Sequence, residues 1–151
     1  MPDHAKTWIA LPHGPIRPLA DNLWRVTGLV PQAGIERSMV IVRRDDGDLL
    51  IHSGMCLQDD EMHQLEQWGR PQYLVVPSGF HRMDAPAFHG RYPDIHVLCP
   101  AGARAKVEQV VQVDGDYSDY RPDACSSLEA IAGVGEQEGL LRVKSEDGIT
   151  L

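Results

Sequence analysis

The chain has 151 residues, 42% of them hydrophobic and 24% charged, a balance that excludes wholesale disorder and suits one domain of roughly 150 residues. Twenty-two acids against 14 bases leave a formal charge of −8, which argues against a nucleic-acid or anionic-membrane partner. No apolar run approaches the roughly 20 residues that a membrane-spanning helix needs.

The first twenty residues carry Pro2, Pro12, Pro15 and Pro18 and read as an extended leader, because proline removes amide donors and biases its neighbours toward extended geometry. This leader mixes acid and base and has no apolar h-region, so it is not a signal peptide. A domain over residues 21–151 follows. Asn22 to Leu29 is a β-forming run closed by Pro31, and Arg37 to Arg43 is a second. Asp45-Asp46-Gly47 predicts a tight turn, since Asp-Gly tolerates the positive φ that hairpins demand. Asp48 to Ser53 completes an antiparallel meander.

Acids at Asp59, Asp60 and Glu61 suit a helix N-terminus; Met62, Leu65 and Trp68 give an apolar stripe, and Gly69 with Pro71 stops it. Tyr73 to Val76 is continuously apolar, as a strand covered on both faces requires. Asp84 is placed as the N-cap of a second helix, with Pro86 in its first turn and Ala87, Phe88 and Tyr92 on its buried side. Ile95 to Cys99 is a further strand, and 101–109 a brief helix packing through Val107, Val110 and Val111. The acidic, tyrosine-rich stretch 114–122 reads as a surface loop. Ser127 to Ile131 and Gly139 to Ser145 are the last strands, with Glu146-Asp147-Gly148 turning toward another. The sum is an α/β arrangement on a mixed sheet.

Open α/β sheets bind ligands at the carboxyl ends of their strands, which directs attention to Pro77 to Asp84. His81 can ligate a metal or move a proton, and Asp84 lies three residues on. Zinc needs three or four ligands, so His52 at the end of the third strand is a further candidate and His89 a poorly angled one. The plainer reading has Asp84 capping its helix and His81 donating to a carbonyl. Ser78 lacks the Gly-x-Ser-x-Gly elbow of a nucleophile, and Gly133-Val134-Gly135 has no following lysine for a phosphate loop. His4, His13, His63 and His96 read as solvated. Cys56, Cys99 and Cys125 form no Cys-x-x-Cys pair, and buried thiols in a reducing cytoplasm are expected.

The order of elements around the central strand–loop–helix resembles the metallo-β-lactamase fold, and within it the bacterial DUF4336-type proteins. The resemblance is carried by Asp21 to Val26, Gly47 to Ser53, Tyr73 to Phe88 and Arg91 to Asp94, and it extends from about Asn22 to Leu151. It implies an αββα sandwich, helices outside, of which the chain covers the first half and the start of the second. Catalytic members carry His-x-His-x-Asp-His in the central loop. Here Ser78 and Phe80 fall at the first two histidines, and Arg82 and Met83 at the Asp-His pair. A guanidinium among would-be ligands repels a dication and cannot be deprotonated. The later Gly-His-Thr position matches Gly133-Val134-Gly135, without a histidine.

The resemblance thus implies a domain without the standard dinuclear site, serving as a binding or structural module with no cofactor. Two alternatives stand beside it. One is a hydrolase with a mononuclear zinc or other divalent metal held by His81 and Asp84 with His52 or His89; the other is a binder of a small anionic metabolite through Ser78, Gly79 and Arg82. An open sheet edge near Leu140 to Lys144 suggests a homodimer, and the turn before Leu151 suggests a truncated or naturally shortened member of the fold.

Overall fold

A computed structural model describes residues 7–79, 82–130, 139–145 and 148–150. The chain opens with four strands: β1 (Arg17–Ala20), β2 (Leu23–Val30), β3 (Ile35–Arg43) and β4 (Leu49–His52). These pair antiparallel in sequence order. The hairpin between β3 and β4 turns at Gly47, whose φ of 86° lies where side chains are strained. After β4 the chain alternates: α1 (Asp59–Trp68), β5 (Pro71–Val75), α2 (Ala85–Arg91), β6 (His96–Cys99), α3 (Arg104–Val107) and the two-residue β7 (Gly115–Asp116). From β4 to β7 the pairing is parallel, so the seven strands lie in sequence order in one mixed sheet. Parallel strands added stepwise with one crossover hand place their connecting helices on a single face. A second sheet, in the order β10-β9-β8, is made by β8 (Ser126–Ala130), β9 (Gly139–Ser145) and β10 (Gly148–Thr150).

Strand periodicity sorts the core into two layers. Met39, Ile41, Leu49, Ile51, Leu74 and Val97 face the helices and pack with Met62, Leu65 and Phe88. Their neighbours Val42, Leu50, Val75 and Leu98 face the opposite way and meet Leu141 and Val143 of β9. Helices, large sheet and small sheet therefore stack as three layers, and the two-sheet sandwich expected from the sequence is present. Asn22 ties the sheets together: its Nδ2 donates to Lys144 O at 2.9 Å, and Ser145 Oγ donates to its Oδ1 at 2.6 Å.

The sequence expectations change at several points. The leader is extended, but its end forms β1, and Trp8 docks on the core by donating Nε1–H to Leu57 O at 2.9 Å. His13 is half-buried rather than solvated. Its Nε2 accepts the Gln58 N–H at 3.1 Å, ahead of α1, and its Nδ1 lies 2.8 Å from Gly14 O. The segment 114–122 is not a surface loop, because Tyr117 and Tyr120 are buried in the inter-sheet core, where their apolar bodies supply much of the packing. Asp84 occupies the N-cap position of α2 but makes no side-chain cap. The short helix over 101–109 is in part 3₁₀, at Ala101–Ala103. The glycines at 133 and 135 lie outside the described residues.

Candidate functional site

β3 pairs with β4 only from Val40 to Arg43, whereas its pairing with β2 runs out to Ile35. The β2–β3 hairpin thus projects past the end of β4 and overhangs the loops that leave β4 and β5. Under the overhang lies a cavity of about 820 Å³, within the usual range for small-molecule sites. Its floor comes from His52 at the end of β4, Ser53 and Gly54 after it, and Pro77 and Ser78 after β5; its wall comes from Arg25, Ser38, Arg37 and Val40 of the hairpin. Ser53 has φ 57°, a left-handed conformation that costs a non-glycine residue about 1 kcal/mol. Strain of this kind concentrates at ligand sites.

The dominant interaction at the edge of this cavity is an ion pair. Arg37 Nη1 lies 3.0 Å from Asp84 Oδ2, with the two side chains only 15% and 10% exposed. The same carboxylate oxygen accepts the backbone N–H of Cys56 at 2.9 Å. Burial, and secondly the nearby Asp84 charge, push the Cys56 thiol up to about 12, so it stays protonated and inert near neutral pH. Arg37 Nη1 also approaches Met83 Sδ at 3.8 Å, whereas its Nε and Nη2 are buried and meet no hydrogen-bond partner among the described residues.

The residues singled out from the sequence separate into groups. His52 and Ser78 both line the cavity floor. Asp84 is beside it but is committed to Arg37 and Cys56. Arg82 turns toward α3 instead, donating to Lys106 O and, at 2.9 Å, to Gln109 Oε1. Gly79 faces Lys106 as well: a Cβ there would sit 2.7 Å from Lys106 Cδ. His89 is half-buried on α2 and lines no part of the cavity. His81 lies outside the described residues.

For a metal, the donors on the described wall are a poor match, since His52 is accompanied by two arginines and the nearest buried carboxylate already has a cation. Among the described residues, the side chains that converge within ligating reach are Asp45, Asp123 and Cys125. They sit at the β3–β4 turn, in a hydrogen-bonded network where Asp123 accepts from Asp45 N and Ser126 N, each at 2.8 Å. Arg25, Arg37 and Ser38 are the site residues that sequence reading misses. Polar residues on a strand look like a solvated face, and only the overhang of β3 turns them inward.

Comparison with known proteins bears on the fold alone. No family model matches the sequence. No curated protein matches it either. Solved structures do match. The metallo-β-lactamase FIM-1 from Pseudomonas aeruginosa, in its mono-zinc form, aligns with a TM-score of 0.60 at 12% identity, over 87% of this chain and 65% of that one. A metallo-β-lactamase from Hirschia baltica gives 0.53 at 15% identity, over 91% and 65%. The metallo-β-lactamase DIM-1, exposed to ceftazidime, gives 0.62 at 11% identity, over 89% and 67%. The fold is therefore metallo-β-lactamase-like, and the chain spans 65% of the length of the FIM-1 chain. No described helix is long and apolar enough to cross a membrane.

Proposed function

We propose that this chain is a metallo-β-lactamase-like domain that binds a small molecule in the cavity beneath the β2–β3 hairpin and does not hydrolyse it with a dinuclear metal centre. One observation carries the reading: Asp84, the acid at the end of the central loop, is neutralised by Arg37 at 3.0 Å and hydrogen-bonded to Cys56 N–H. A carboxylate used as an internal counter-ion has no charge left to offer a dication. A guanidinium within contact distance opposes the approach of any metal, because arginine does not lose its proton in proteins. The strained Ser53 and the size of the cavity support binding, and the projecting hairpin provides one of its walls.

Metal analysis of protein purified without added zinc tests the proposal. Substoichiometric zinc, manganese and iron are expected, unchanged in an Asp84→Asn variant. A stoichiometric metal that disappears in His81→Ala overturns the proposal and favours a rearranged mononuclear site.

A further inference from the structure

Leu23 of β2 and Val42 of β3 pack in the inter-sheet core. By alternation Arg25 and Thr27 share the face of Leu23, and Val40 and Ser38, their partners across the pair, share that of Val42. His52 joins them, since it stands two residues after Leu50 of the same core. These five residues line the cavity from one side of the sheet. β4 ends at His52 whereas β2 and β3 run on, so the Thr27–Ser38 row has no β4 residue beside it.

Charge on this face is out of keeping with the rest of the chain. Arg25 pairs in register with Arg17 of β1, and like charges directly opposite one another destabilise a sheet. Arg44, Arg70, Arg91 and Arg104 each have a carboxylate partner. Neither Arg17 nor Arg25 has one among the described residues, although the chain holds 22 acids against 14 bases. Arg25 gives only Nη2–H, to Ser38 Oγ at 3.2 Å, and that bond lays its guanidinium toward the Thr27–Ser38 row. Its Nε and Nη1 have no partner among the described residues, and Arg25 is exposed where it lines the cavity.

This donor set suits a tetrahedral dianion. A guanidinium supplies a planar fork, and the hydroxyls of Ser38 and Thr27 supply short donors that can turn to separate oxygens. His52 faces the same space from β4, two strand spacings or about 10 Å from Arg25 across Val40. The cavity lining among the described residues includes one acid, Glu36, four residues along β3 from Val40 and so about 13 Å from the arginine row. Two adjacent positive charges therefore lack a local counter-charge. We infer that this face of the cavity receives the phosphate of a small phosphomonoester. Arg25, Ser38 and Thr27 hold its oxygens, Arg17 adds the second positive charge, and His52 bounds the far side. The organic body lies along Val40 and Pro77, within a cavity of about 820 Å³. This inference rests on the proposed binding role and gives it a ligand class.

Calorimetric titration with phenyl phosphate tests it, with inorganic phosphate and benzoate as contrasts. Saturable one-to-one binding of phenyl phosphate is expected, with benzoate at least tenfold weaker and inorganic phosphate several-fold weaker. Arg25→Gln should weaken phenyl phosphate at least tenfold, and Thr27→Val combined with Ser38→Ala several-fold at unchanged salt dependence. None of these positions is buried, so the circular dichroism spectrum should be retained. Arg17→Gln should weaken binding roughly threefold at low salt and hardly at all near 0.5 M salt, as a charge acting at range does. Unchanged affinity in folded Arg25→Gln overturns the assignment to this face. Benzoate or inorganic phosphate binding as tightly as phenyl phosphate overturns the phosphomonoester class. So does metal-free protein that binds none of the three, an outcome that leaves the non-metal reading standing. A stoichiometric metal in the preceding assay overturns that reading instead.

Discussion

Removing Asp84 should be among the most damaging single substitutions in this chain. Asp84→Ala strands the Arg37 guanidinium at 15% exposure, with Nε and Nη2 still unpartnered and Nη1 left with only Met83 Sδ, and it takes the acceptor from the Cys56 N–H. Breaking a buried pair from one side costs about 3–5 kcal/mol. Arg37→Met leaves the carboxylate with only one backbone donor and should cost about 2–4 kcal/mol on the same ground. The double variant carries no uncompensated charge. Its remaining defect is the orphaned Cys56 N–H, worth about 1–3 kcal/mol. The two singles therefore sum to well above the double, with a coupling of about 2 kcal/mol or more. Urea titration followed by tryptophan fluorescence reads this cycle, since Trp8 lies 4.9 Å from Phe88 of α2 and reports on the helix that Asp84 precedes. Circular dichroism at 222 nm should give the same midpoints. Additive singles, or an Asp84→Ala variant within about 1 kcal/mol of the parent, would refute the counter-ion role.

Three further outcomes follow from local geometry. A Cβ on Gly69 would lie 2.3 Å from Gly47 O and 2.8 Å from Leu49 Cδ2, so Gly69→Ala should cost about 1–3 kcal/mol by overpacking, read as a lower urea midpoint. Asp123 is held below the usual carboxylate range. Burial opposes this, but hydrogen bonds from Asp45 N–H and Ser126, with the Arg44 charge, outweigh it. A depressed folded-state pKa stabilises above the unfolded value of about 3.9 and is lost as pH falls through the folded one. The difference in Tm between the parent and Asp123→Asn should therefore shrink from pH 7 to pH 3; a constant difference would exclude that linkage. Cys56 and Cys99 are buried with thiols pushed up to about 12 and about 11, chiefly by burial, and Cys125 is half-buried with its thiol also near 11. Iodoacetamide at pH 8 should label Cys125 slowly, leave the other two untouched in native protein, and label all three in urea.

The layered fold was legible because its signals are local. Alternation along Met39 to Val42 and Leu49 to Ile51 separates helix-facing from sheet-facing residues, and Gly69 with Pro71 marks where α1 stops. The site was less legible because its decisive contacts are long-range. Asp84 has the composition of an N-cap, yet its partners lie 28 residues away at Cys56 and 47 residues away at Arg37, and those contacts outweigh the local preference. Tyr117 and Tyr120 sit among acids and glycine, which suggests exposure. Their burial depends on the second sheet, whose strands come later in the chain. Nothing in the spacing of Arg37 tells that β3 outruns β4.

Two buried arginines differ in how fully their donors are satisfied. Arg44 is 8% exposed and satisfied on every nitrogen: Nε donates to Tyr120 OH at 3.1 Å, Nη1 to Asp46 and Gln72, and Nη2 to Arg121 O at 3.0 Å. Its guanidinium also sits over the rings of Tyr73 and Tyr120. That is what a structural cation looks like, since each N–H it buries recovers a partner. Arg37 recovers only one. Each unsatisfied buried donor costs about 1–3 kcal/mol, and an apolar pair of similar volume would be at least as stable as an under-bonded ion pair. Stability therefore gives no reason for Arg37 to be there. The unpaired donors, Nε and Nη2, lie beneath the surface of the hairpin, on the side that carries Asp84.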